Sequence, residues 1–147
     1  MNAPTASSSL RELCLQHLEA LKNSISHFRM AVVSSVDGFP IALLGVEPQV
    51  GRKTTAMSAA LDGLSKTIAK ELHLGNIEGT VLECELGLVL CRQVYGPKRN
   101  LVLLMVVSEQ ATYGQALWAV KNAAKEMTAS LHEQIDQIAF SQPSTQD

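Results

Sequence analysis

Apolar positions along the chain follow two rhythms, a spacing of three to four and a spacing of two, and their order sets out a helix, two strands, a helix, three strands and a helix. Leu10, Leu13, Leu18, Leu21, Ile25 and Phe28 keep the helical spacing, which predicts a first helix over residues 10–27. Ser9-Leu10-Arg11-Glu12 has the pattern of a capping box at its start. Residues 30–44 are two short apolar runs joined by Asp37-Gly38, the favoured pair for a two-residue type I′ hairpin turn, in which both positions need positive φ. Val32, Ser34 and Val36 fall on one face of the first run and Ala31, Val33 and Ser35 on the other, with no charge on either, so this strand is expected to be buried on both sides. Pro40 has no N–H to give to a ladder, which places the second strand at a sheet edge.

After a loop over residues 45–52 containing Gly45, Pro48 and Gly51, a second helix is predicted over residues 53–72. Met57, Leu61, Leu64, Ile68 and Leu72 form an apolar stripe suited to covering a sheet. Beside it runs a stripe of small residues, Ala56, Ala60, Gly63 and Thr67. Gly63 costs a helix roughly 1 kcal/mol relative to Ala, which suggests a close backbone approach, either by a second copy of this helix or by the chain's own sheet. Thr55, Asp62, Lys66 and Lys70 read as the solvated face. Residues 77–85 and 88–95 alternate as strands, with Val81, Glu83 and Glu85 on one face of the former and Leu82 and Cys84 on the other. Residues 101–107 are apolar at every position, which predicts a central strand paired with the first hairpin strand. The last helix, over residues 112–140, opens on Thr112-Tyr113-Gly114-Gln115 and carries Tyr113, Leu117, Val120, Ala124, Met127, Leu131, Ile135 and Ile138 on one face. Trp118 points away from that face, as a satellite packing residue or an interface anchor, and the last turns over residues 131–140 are long enough to overhang the sheet.

At 147 residues, 46% of them hydrophobic and 18% charged, the chain fits one domain with a real core, expected over residues 10–140 between polar tails at 1–9 and 141–147. A net charge of -2 with no clustered basic excess argues against nucleic acid as a partner. No apolar run is long enough to cross a bilayer and the first residues lack the pattern of a signal peptide, so no membrane insertion and a cytoplasmic location are expected. Cys14, Cys84 and Cys91 match neither a disulfide framework nor a CxxC pattern and read as buried free thiols. The four histidines have no ligand spacing, so neither a metal nor any other cofactor is expected. His17, beside the first helix's apolar stripe, reads as a partly buried core residue.

Catalytic patterns are equally sparse. Gly51-Arg52-Lys53-Thr54 is superficially like the end of a phosphate loop, but the upstream Gly is not at the required spacing, and it reads as a helix start. Glu83 and Glu85 share a strand face without a pocket to shift them and read as solvated. The chain is therefore expected not to be an enzyme.

The stretch VSSVDGFPIA over residues 33–42, the Ala/Met/Leu-rich helix from Thr54, the strand run over 77–107 and ATYGQALWAVKNAAKEM over 111–127, in this order, resemble the Roadblock/LC7 family. The resemblance covers nearly the whole chain outside the tails and implies an α+β, profilin-like fold. Its five-stranded antiparallel sheet would carry the middle helix on one face and the terminal helices on the other. It further implies a homodimer in which two middle helices pair, through Ala56, Ala60, Gly63 and Thr67, and two sheets join at the edge strand that carries Val81 and Glu83. Bacterial single-domain members of the family are associated with small Ras-like GTPases as regulators or scaffolds, which implies such a GTPase as partner, lying across the paired helices. Other members serve as structural adaptors in larger assemblies, and profilin-like sheets also occur in ligand sensors. Arg52, Lys66, Lys70 and Arg99 are the candidates for contact with the partner, Arg52 and Arg99 also as arginine fingers by exposure alone.

Overall fold

The computed structural model describes residues 4–141, with side chains over residues 9–134. The elements are α1 (Pro4–Ser24), β1 (Phe28–Ser35), β2 (Pro40–Leu44), α2 (Pro48–Glu71), β3 (Gly79–Cys84), β4 (Gly87–Tyr95), β5 (Asn100–Ser108) and α3 (Tyr113–Ser141). The five strands form one antiparallel sheet in the order β2-β1-β5-β4-β3. β5, apolar at every position from Leu101 to Val107, lies at its centre, paired with β1 as its pattern predicts, and the Pro40 strand lies at an edge.

Alternation along the strands divides the sheet cleanly. Ala31, Val33, Leu90, Val94, Leu101, Leu103, Met105 and Val107 point to the face covered by α1 and α3, where they meet Leu18, Leu21, Val120 and Met127. Val32, Cys91 and Leu104 point to the other face, under α2. The α+β architecture, with the middle helix alone on its side, is the one the resemblance implies. Among the described residues, no helix is long and apolar enough to cross a membrane, and no group of three or more His, Cys, Asp or Glu could hold a metal ion.

Several local expectations are corrected. The hairpin turn is not type I′: Gly38 has φ 94°, but Asp37 is not in the positive region. Gly38 N–H donates to Ser35 O (3.0 Å) and Ser35 N–H to Phe39 O (2.9 Å), which closes a three-residue loop over Val36, Asp37 and Gly38. Val36 thus leaves the strand and is exposed, and a register shift between Val33 and Ser34 follows at once. α1 begins at Pro4 and ends at Ser24, so the Ser9 capping pattern lies inside the helix and residues 4–9 belong to it. Residues 1–3 and 142–147, expected as tail, lie outside the described residues. α2 begins at Pro48, whose fixed φ and missing N–H suit the first turn of a helix, so Gly51-Arg52-Lys53-Thr54 is helix interior. There Gly51 packs so closely on β2 that a Cβ would sit 2.6 Å from Leu43 Cδ1. Cys14 and Cys91 are buried, and burial pushes their thiols up to about 12 and about 11. Cys84, expected to be buried, is exposed near the end of the edge strand β3.

Candidate interface on the open face of the sheet

The faces of α2 are the reverse of what its apolar stripe predicts. Gly51, Thr55, Ser58, Asp62 and Ala69 are the buried residues of this helix. Met57, Leu64, Ile68 and Leu72, expected to cover the sheet, are 63%, 60%, 50% and 62% exposed, and only Leu61 of that stripe packs on the sheet. Thr55 and Asp62, expected to be solvated, face inward.

The sheet beneath is polar at matching positions. Gln93 Nε2 of β4 donates to Asp62 Oδ1, Lys66 Nζ lies 3.0 Å from Asp62 Oδ2, and Thr80 Oγ1 of β3 donates to Ser65 Oγ at 2.9 Å. Ser34, Ser58 and Gln93 are themselves buried in this layer. A buried polar group without a partner costs more than a hydrogen bond gains, so the paired side chains of Asp62, Gln93, Ser65 and Thr80 specify which face of α2 turns inward. Rotating the helix to bury Met57, Leu64 and Ile68 would set apolar groups against Gln93 and Thr80 and take away their partners.

The consequence is an uncovered apolar surface. Along α2, the exposed flank between Lys53 and Glu71 carries Ala56, Met57, Ala60, Gly63, Leu64, Thr67 and Ile68, with no charge among them. A Cβ at Gly63 would meet no atom within 4 Å, so this glycine is not required by the chain's own packing. On the same face of the sheet, Met30, Val106, Val89 and Leu82 lie in register across β1, β5, β4 and β3. The first three are half-buried and Leu82 is exposed. The exposed Met57, Leu64 and Ile68 of the helix and this row of the sheet are apolar side chains that the chain leaves partly or wholly uncovered.

The sheet's two edges differ as well. β2 is blunted by Pro40 and by the irregular step at Ser34. β3 pairs with β4 in unbroken register from Gly79 to Cys84, and its other side is unpaired within the chain. Val81 is half-buried against the α1/α3 core, and Glu83 is exposed.

The candidate partner-contact residues are not all brought together. Lys66 and Lys70 border a groove of about 530 Å³ at the C-terminal end of α2, with Gln93, Tyr95 and Asn100 opposite. Lys66 is already paired with Asp62. Arg52 lies near the other end of the helix, about 21 Å along the axis from Lys66, and Arg99 is exposed in the β4–β5 turn outside the groove lining. Asp62, expected to be solvated, and Gln93, which no sequence pattern singled out, anchor the arrangement. The available signal was polar Ser34 and Gln93 on the strand faces that also carry Val32 and Cys91.

No family model matches the chain, and no curated protein matches it in sequence. Solved structures match its fold. A Roadblock/LC7 domain from Streptomyces avermitilis superposes with a TM-score of 0.71 at 17% identity, over 79% of this chain and 95% of that one. The gliding protein MglB from Thermus thermophilus gives 0.71 at 20% identity, over 91% and 94%. An MglB with a tetrameric arrangement gives 0.73 at 20%, over 90% and 93%. At such identities the likeness establishes the fold, and the chain has the Roadblock/LC7 fold.

Proposed function

We propose that the chain is a non-enzymatic homodimeric regulator or scaffold that binds a small Ras-like GTPase across its paired α2 helices. The observation that carries the dimer is the inverted α2, a helix held down by its polar face with its apolar flank turned out. Fully covering a Met, Leu or Ile side chain is worth about 1.5–3 kcal/mol before the costs of association. A second α2 beside the first would cover the row of Met30, Val106, Val89 and Leu82 as well. Ala56, Ala60, Gly63 and Thr67 let the two backbones approach. The unblunted β3 edge, with Val81 and Glu83, joins its counterpart, which also removes an edge open to aggregation. Self-association is supported by the tetrameric arrangement of one MglB that shares the fold. The GTPase follows from the Roadblock/LC7 resemblance, with Lys66, Lys70, Arg52 and Arg99 as its contacts.

The dimer is tested by Gly63→Leu. Because nothing lies within 4 Å of that position, the monomer tolerates the side chain. Losing a helical glycine stabilises it by about 0.5–1 kcal/mol. Light scattering is expected to show a smaller species while thermal stability is retained, and an unchanged dimer would reject the assigned interface. The partner is tested by GTP turnover of a co-encoded small GTPase with and without this protein, together with pull-downs in each nucleotide state. Binding with faster turnover identifies a regulator, and Arg52→Ala and Arg99→Ala then probe for a finger. Binding without acceleration identifies a scaffold, and no binding in either state rejects the GTPase.

A further inference from the structure

On the opposite face of the sheet, a second surface plays no part in the interface above. The outer flank of α3 presents Leu117, Trp118, Lys121 and Lys125 along a groove of about 470 Å³, with Arg92 of β4 also lining it. Trp118 is the one tryptophan in the chain and is 63% exposed. Arg92 lies across the edge strand where Gly79 leaves room: a Cβ at that position would be 2.7 Å from Arg92 Cδ and 2.9 Å from Nη1. Its Nε is buried and finds no acceptor. Lys121 and Lys125 stand one helical turn apart, a like-charge spacing that weakens a helix. Among the described residues none of the three cations makes an ion pair, and no carboxylate lines the groove, in a chain of net charge -2.

We infer that this groove docks an acidic segment of a partner protein, with carboxylates on Arg92, Lys121 and Lys125 and an apolar side chain against Trp118 and Leu117. Charge complementarity selects the occupant. Three unpaired cations gathered in one concave site oppose the overall charge of the molecule and repel one another, and carboxylates relieve both. Arg92, which lines the groove without an ion-pair partner, offers a carboxylate a planar fork of donors. Trp and Arg are the side chains that most often anchor a protein interface. A nucleic acid would call for a longer basic stripe than one groove provides. The inference does not depend on the GTPase reading.

Trp118 makes the test direct, because intrinsic tryptophan emission of the full chain reports on this groove alone. The probe is a short glutamate-rich peptide with a central leucine, compared with the same peptide carrying lysine in place of glutamate. The expected result is a saturable emission change with the acidic peptide only, weakening as salt rises. Lys121→Glu combined with Lys125→Glu, both at exposed positions, is expected to weaken binding about tenfold or more with circular dichroism and oligomer size unchanged. Arg92→Gln is expected to act in the same direction. No emission change with the acidic peptide on the folded protein overturns the inference. So does a response confined to duplex DNA or to phosphatidylserine vesicles. Emission that shifts on simple dilution, in step with dissociation of the protein, would assign the groove to a second copy of this chain instead.

Discussion

On one face of the sheet α1 and α3 close over a large apolar cluster of buried side chains, from Cys14 and Leu18 to Met127 and Leu131; on the other, α2 closes over a small one, Val32, Cys91 and Leu104. The first face is finished by the chain itself. The second is held by polar contacts between Asp62, Lys66, Gln93, Ser65 and Thr80, and leaves Met57, Leu64 and Ile68 in the open. Apolar packing and polar anchoring are thereby separated within one small domain. The closed face supplies most of the hydrophobic free energy that keeps the monomer folded, and the open face uses directional hydrogen bonds to fix a helix whose apolar side is left uncovered by the chain.

The largest effect that tests this contrast is a cavity in the closed face. Leu103 is fully buried there, and Leu103→Ala is expected to cost about 2–5 kcal/mol in denaturant unfolding. Val106, three residues further along the same strand and half-buried on the open face, is the counterpart. Val106→Ala is expected to cost about 1 kcal/mol or less in the monomer. Equal costs at the two positions would remove the distinction between the faces.

Next in size is the polar anchor. Asp62→Ala leaves Gln93 Nε2 and Lys66 without their acceptor beneath α2, and is expected to destabilise by about 1–3 kcal/mol. Replacing both partners, Asp62→Leu with Gln93→Leu, is expected to recover much of that loss, because two apolar groups leave no orphaned donor. The two variants should differ in how α2 sits. Hydrogen exchange on α2 in the double variant is expected to show altered protection around Met57 and Leu64, since nothing polar then opposes burial of the apolar flank. Unchanged protection would show that Asp62 and Gln93 do not set the orientation.

How much of this was legible in the sequence follows the same division. The central place of β5, its pairing with β1 and the edge position of β2 could be read directly, because each depends on apolar periodicity or on the missing N–H of Pro40, while the closed α1/α3 face came from the family resemblance. The orientation of α2 could not. An apolar stripe locates the face that avoids water without saying whether the cover comes from the same chain. The polar face of α2 is explained only by Gln93 and Thr80, which follow it in sequence, and by their register in the sheet. Local patterns misled in smaller ways. The Ser9 capping pattern lies within a helix that starts at Pro4, and the Asp37-Gly38 pair serves a three-residue loop because Asp37 does not take positive φ. Cys84 is exposed because it ends an edge strand, a position that alternation alone does not reveal.

The smallest expected effect concerns the one histidine that joins the helices of the closed face. His17 of α1 is half-buried, and its Nε2 shares a 2.9 Å hydrogen bond with Ser130 Oγ of α3. Burial lowers its pKa below the ordinary 6.5, and the nearby Glu126 carboxylate opposes that shift without reversing it. The native state therefore prefers the neutral ring more strongly than the unfolded chain does. Its contribution to stability is fully present above pH 6.5 and is lost as the pH falls through the lowered native value, because the unfolded chain takes up the proton first. Denaturant midpoints measured between about pH 5 and 8 should decline on the acid side, and His17→Gln, which keeps a side chain able to reach Ser130 but cannot titrate, should flatten that part of the profile. A decline that persists unaltered in the variant would move the pH dependence to other groups. It would leave the α1–α3 seam as insensitive to protons as the apolar cluster it borders.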